Sequence, residues 1–180
     1  GQLERIGHKN NELSLAMVWG GFFIKVSPSG RGVPETILKV DESYFIHRPR
    51  LIPDSNLVLC SKVSGTKSEI IVVDSQNGDS RIVVQDAMAP TYLQSGHLLY
   101  LRNGNLYGSE FDPKLASLVG RSTLIEQAVA SERRFITASY AISDHGVLAF
   151  RKGGFIDSVD LSFVWMDMTG NISPASSARG

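Results

Sequence analysis

Three stretches of this chain align with one another without a gap. They are Pro49 to Cys60, Pro90 to Leu101 and Ser139 to Phe150, and their first residues lie 41 and 49 residues apart. A period in this range is the mark of a blade-by-blade architecture, in which each repeat is one small sheet that cannot bury its apolar surface alone. Each stretch reads as strand, tight turn, strand. The turns are Asp54-Ser55-Asn56, Ser95-Gly96-His97 and Asp144-His145-Gly146, rich in residues that tolerate the positive φ of tight turns. The strand after each turn, such as Leu57 to Cys60 or Leu98 to Leu101, is an almost unbroken apolar run. That is the pattern of a strand covered on both faces.

A third strand follows each pair: Glu69 to Asp74, Asn105 to Asp112 and Ser162 to Asp167. Each ends in Asp, which is expected to hydrogen-bond the backbone of the next turn. A fourth, outer strand fits Ser80 to Val84 and Ser122 to Ile125. The N-terminal part is a partial copy, with strands over Leu13 to Val18, Gly21 to Val26 and Glu35 to Lys39 and a turn at Ser27-Pro28-Ser29-Gly30. Its innermost strand has no visible pattern, because Gln2 to Asn10 is polar. The only helix signal is Asp112-Pro113 opening Pro113 to Gly120, and a loop between the third and fourth strands fits that segment equally well. The expected fold is all-β: a β-propeller, or part of one, of about four blades of four-stranded antiparallel sheets. We read residues 1–180 as one such domain or propeller fragment, with residues 1–12 and 171–180 as poorly ordered ends.

Ala89 to Tyr107 followed by Phe111-Asp112-Pro113, then Leu118-Val119-Gly120, then Val164-Trp165-Met166-Asp167-Met168-Thr169-Gly170, resembles the TolB-like, WD40-like propeller repeat. In particular it resembles the propellers attached to bacterial serine/threonine protein kinases. The resemblance covers about residues 45 to 170. It implies an accessory module that senses or binds, placed outside the cytoplasm if it belongs to a membrane-anchored kinase-like protein. Two departures stand out. Asp54-Ser55-Asn56 lacks the usual Gly, and Ser139 stands where the other two repeats have Pro. The kinase elements themselves are missing: no Gly-rich phosphate loop, no His-Arg-Asp loop and no Asp-Phe-Gly.

Composition narrows the choice of partner. Eighteen basic and eighteen acidic residues cancel, so the chain carries no electrostatic footprint for a phosphate backbone and no polybasic block for an anionic membrane. Leu15 to Ile24, broken by Gly20 and Gly21, is the longest apolar run and falls short of the roughly 20 residues of a membrane-spanning helix. Gly1-Gln2-Leu3 lacks an initiator Met, so the chain is expected to be processed or cut from something longer. The single cysteine, Cys60, sits in an apolar run and reads as a small buried hydrophobe.

Several residue groups carry catalytic or ligating side chains, and each has a plainer explanation. Ser143-Asp144-His145 contains the residue types of a hydrolase triad, yet a triad converges from separate parts of a fold, whereas these residues form one turn. His8, His47, His97 and His145 share no ligand spacing. Asp157 and Asp160 lack the further ligands of a calcium loop. Glu132-Arg133-Arg134 reads as a solvated loop. Gly30-Arg31-Gly32 and Gly20-Gly21 precede no helix that could hold a phosphate. The innermost strands carry His47-Arg48, Met88-Ala89 and Thr137-Ala138 rather than paired carboxylates. The expectation is a protein- or ligand-binding module with no catalytic, cofactor or metal site and a binding site of unknown position. The competing expectation is the propeller of a hydrolase, either a prolyl-oligopeptidase-like gating domain or a glycan-acting propeller. An open half-ring would expose apolar faces on its first and last blades, so pairing of two copies is expected over closure as a four-bladed ring. Light scattering after size exclusion separates the two: a mass of one chain at high concentration excludes the pair.

Overall fold

The computed structural model describes residues 4–6, 14–19, 22–25, 33, 35–40, 43–132, 137–143, 146–156, 164–166 and 172–174. Three four-stranded antiparallel sheets follow one another along the chain. The first holds β1 (Glu4–Ile6), β2 (Ser14–Trp19), β3 (Phe22–Lys25) and β4 (Glu35–Lys39). The second holds β5 (Phe45–Leu51), β6 (Leu57–Ser64), β7 (Lys67–Asp74) and β8 (Ser80–Gln85). The third holds β9 (Met88–Tyr92), β10 (His97–Arg102), β11 (Asn105–Asp112) and β12 (Ser117–Glu126). In each the spatial order equals the chain order, so every sheet is an up-and-down meander. β1 lies against β5 and β5 against β9, so the first strands of consecutive sheets meet along one axis. No helix occurs among the described residues.

Two sequence expectations change here. The first sheet has its innermost strand after all: β1 pairs Glu4 with Ala16, Arg5 with Leu15 and Ile6 with Ser14. A strand of three residues is too short to display a period of two, which is why no pattern marked it. The stretch from Pro113 to Gly120 divides. Asp112 Oδ1 accepts from the Lys114 and Leu115 amides at 2.7 and 3.2 Å, closing a turn, and β12 then begins at Ser117. The outer strand is thus longer than the expected Ser122 to Ile125.

The last part of the chain departs from a single four-stranded blade. β13 (Ser131–Glu132) pairs antiparallel with β14 (Thr137–Ala138) and parallel with β17 (Phe155–Ile156). β15 (Tyr140–Ile142) pairs with β16 (Leu148–Phe150), and β18 (Val164–Met166) with β19 (Ile172–Pro174). β15 and β16 are the inner hairpin of the third repeat, and β18 is its expected third strand. β19 falls in the stretch where no fourth strand was firmly marked.

The apolar runs work as two-faced strands. On β6, Val58 and Cys60 pack toward the first sheet with Val40 and Ile46, while Leu59 packs toward the third sheet with Leu98 and Tyr100. On β7, Ile71 and Val73 face the first sheet and Ile70 and Val72 the third. On β10, Leu98 and Tyr100 face the second sheet, whereas Leu99 and Leu101 face Val129, Tyr140, Ile142, Leu148 and Phe150. Cys60 is fully buried, as its apolar setting implies. The connecting segments bond back to the preceding sheet: the Ala87 amide to the Ser68 carbonyl at 3.1 Å, and the Val129 amide to the Gly104 carbonyl at 2.8 Å. Asp74 Oδ1 accepts from the Gln76 amide at 2.8 Å, so Asp74 and Asp112 both play the turn-closing part expected of them. Asp167 lies outside the described residues.

Because Leu59 is sealed between the second and third sheets, Leu59→Ala should lower unfolding free energy by about 2–5 kcal/mol. Val119→Ala, on the exposed outer strand, should change it by about 0.5 kcal/mol or less. Urea unfolding midpoints check both.

Candidate functional site

The axis is where the repeat brings equivalent residues together. Arg50, Thr91 and Tyr140 occupy the second position of the three aligned stretches. The Tyr140 hydroxyl donates to the Ala89 carbonyl at 2.5 Å, so at 3.1 Å Thr91 Oγ1 is the donor and Tyr140 the acceptor. The side of Tyr140 is buried against Met88 and Ala89. Burial pushes its pKa up, while the Thr91 hydrogen bond and the charges of Arg48 and Arg50 pull it down. The guanidiniums of β5 therefore reach, electrostatically, the inner strand of the fourth repeat.

Bulges set this geometry. Arg48 has φ 51° and Ala89 φ 56°, and each immediately precedes a proline. Pairing slips between His47 and Arg50 on β5, and between Leu99 and Leu101 where β10 meets β9. On β5 three residue steps face two on β6, since His47 pairs with Ser61 and Arg50 with Leu59. A bulge of this kind re-aims side chains. Here it puts His47 and Arg50 on one face, the face turned toward the third sheet. A left-handed backbone costs a non-glycine residue roughly 1–2 kcal/mol, so something must hold each bulge. At Ala89 the holder is visible on both sides: its amide donates to Ser61 Oγ of the second sheet at 2.8 Å, and its carbonyl accepts from Tyr140. Ser61 is fully buried and spends its hydroxyl there. The third repeat carries Ser139 in place of proline, and its amide donates to the Ala130 carbonyl at 2.9 Å, a bond that proline cannot make.

His47, Arg48 and Arg50 are each half-buried. Burial lowers the pKa of His47 by disfavouring its cation. No group of three His, Cys, Asp or Glu side chains suited to a metal occurs among the described residues. His97 sits in its turn with Nδ1 3.1 Å from Ser95 Oγ. Ser143 closes its own turn, accepting from the Val147 amide through Oγ at 3.1 Å. His8, Arg133, Arg134, Asp144, His145, Asp157, Asp160 and the pairs Gly20-Gly21 and Gly30-Arg31-Gly32 lie outside the described residues. Away from the axis, a cleft of about 300 Å³ opens between the first two sheets beside Leu38, Tyr44 and Ile82. Its cation, Lys62, lies 4.7 Å from the centre of the Tyr44 ring and 3.7 Å from Glu69.

Sequence reasoning named His47 and Arg48 as inner-strand residues and passed over Arg50, Thr91 and Tyr140 as a set. The signal was present in the alignment, which already places these three in one column. What it lacked was the knowledge that one column of a propeller repeat converges on an axis.

No protein-family model and no curated protein matches the sequence. Solved structures do match. The chain is similar to a luciferin-regenerating enzyme, with a TM-score of 0.59 and 8% identity over 81% of this chain and 53% of that one. It is also similar to regucalcin, a calcium-binding protein from Agrobacterium tumefaciens, with a TM-score of 0.57 and 10% identity over 93% of this chain and 57% of that one. Both are β-propellers, and the all-β chain of stacked antiparallel sheets has that fold. It spans a little over half the length of each of these proteins.

Ser61 and Tyr140 grip the same residue from two neighbouring blades. Ser61→Ala and Tyr140→Phe should each cost about 1–3 kcal/mol, as a buried backbone group loses its partner. The double variant should cost less than the two together, because one release already loosens the bulge. A double-mutant cycle by urea unfolding measures this coupling.

Proposed function

We propose that this chain is a binding or sensing module, a TolB-like propeller of the kind attached to bacterial protein kinases, which holds a protein or small ligand and turns nothing over. The observation that carries this reading is how the axial hydroxyls are used. Catalysis by a hydroxyl needs a base within hydrogen-bond reach and a free lone pair aimed at substrate. Thr91 donates to Tyr140, Tyr140 donates to the Ala89 carbonyl, and Ser61 accepts the Ala89 amide. These groups hold the scaffold. The half-buried His47, Arg48 and Arg50 beside them offer donors and charge, which suit recognition.

The fold also serves enzymes, as the name of one structural relative says, so turnover is the deciding measurement. Incubation with labelled ATP, a fluorogenic peptide panel and chromogenic glycosides should give no product above buffer. Product formation that follows the protein through purification and is lost on substitution of an axial residue would overturn the binding reading in favour of a hydrolase propeller.

A further inference from the structure

The axial strands are unbalanced in charge. β5, β9, β14 and β15 carry Arg48 and Arg50 and no Asp or Glu, and β1 adds one residue of each sign, Glu4 and Arg5. Two guanidiniums two residues apart on one strand repel each other, and more strongly where burial thins the solvent between them. Both are half-buried, and both make their charge felt at the Tyr140 hydroxyl on another blade. The ion pairs given by the described residues, Lys62 with Glu69 and Lys152 with Glu126, lie on middle and outer strands and leave this charge uncompensated. The β5 bulge adds directionality. It turns Arg50 to the same face as His47, and it places Arg48 at the point where the strand bends, with φ 51°. Such a device spends backbone strain on aiming one side chain.

We propose that Arg48 and Arg50 form an oxyanion site at the axis, which takes a small molecule through a carboxylate or phosphate group. Guanidinium is suited to either, because its planar fork donates two parallel hydrogen bonds to two oxygens of one anion. An oxyanion bound here offsets the mutual repulsion of the two arginines. The Thr91 and Tyr140 hydroxyls, fixed by their own bonds, form the polar wall beside it, and Tyr140 keeps one lone pair for a ligand hydroxyl. This inference rests on the binding reading and specifies the ligand chemistry.

The test is calorimetric titration of the whole chain with inorganic phosphate and, separately, with tricarballylate, each against sodium chloride of equal ionic strength. Heat from one or both anions, saturating at one site, is the expected result, and the responding arm tells phosphate from carboxylate. Arg50→Gln should weaken that binding about tenfold or more, the loss of one charge-assisted hydrogen bond. Arg48→Gly should do the same, and it keeps the fold accessible because glycine takes the left-handed backbone without strain. Binding that is unchanged in both variants, or no saturable heat from either anion, overturns the site. Such a failure without enzymatic turnover removes the oxyanion site alone and leaves the binding reading standing, whereas turnover removes that reading.

Discussion

The structure depends on strands that are buried on both faces. β6, β7 and β10 alternate their side chains between two different neighbours, so Leu59 and Cys60, adjacent in sequence, belong to different interfaces. No sheet here has a core of its own. Each borrows half from the sheet before and half from the sheet after, which is the nearest-neighbour logic of repeat architectures. The apolar groups of one interface are drawn from two blades in nearly equal measure: Ile52, Leu59, Ile70 and Val72 from the second, Leu98, Tyr100 and Phe111 from the third.

Two-faced burial creates a problem that one-faced sheets avoid. In a half-exposed strand, a one-residue slip turns apolar side chains to water and is penalised at once. In β6 or β7 such a slip would exchange one apolar face for another. Register must then come from turns and hydrogen bonds. Asn103 and Gly104 both take positive φ, 50° and 73°, in the two-residue turn that pairs Arg102 with Asn105, the geometry in which Asn-Gly excels. Gly65 at φ 57° serves the turn that pairs Ser64 with Lys67. Asp74 and Asp112 lock the next turns through their carboxylates. At the axis, Ser61 and Tyr140 fasten Ala89 from either side. The polar groups thus supply the specificity that apolar packing cannot, and the bulges they support aim the arginines.

Legibility in the sequence follows from these physical roles. The second and third sheets were readable because their inner hairpins repeat and their middle strands are continuous apolar runs. The Asp at the end of each third strand was readable because turn chemistry is local. β1 was not, since three residues carry no periodicity and its pairing is made by backbone. The start of β12 at Ser117 was hidden because an outer strand with one open face tolerates Gly120 and Arg121 as readily as Val119. The division of the last repeat into small sheets follows pairing across long separations, such as Ser131 with Phe155, which no local pattern encodes. The axial set of Arg50, Thr91 and Tyr140 was half legible: the column could be read, but its convergence needed the angle between blades.

Hydrogen–deuterium exchange measured peptide by peptide tests the central claim most directly, because amide protection reports burial between blades strand by strand. The account predicts that β6, β7 and β10 exchange slowest and within one common time range, while β12, open along one face and one edge, exchanges much faster. Exchange of β6 and β7 at the rate of β12, or protection of β12 equal to that of β10, would contradict the two-faced packing on which the rest of the structure stands.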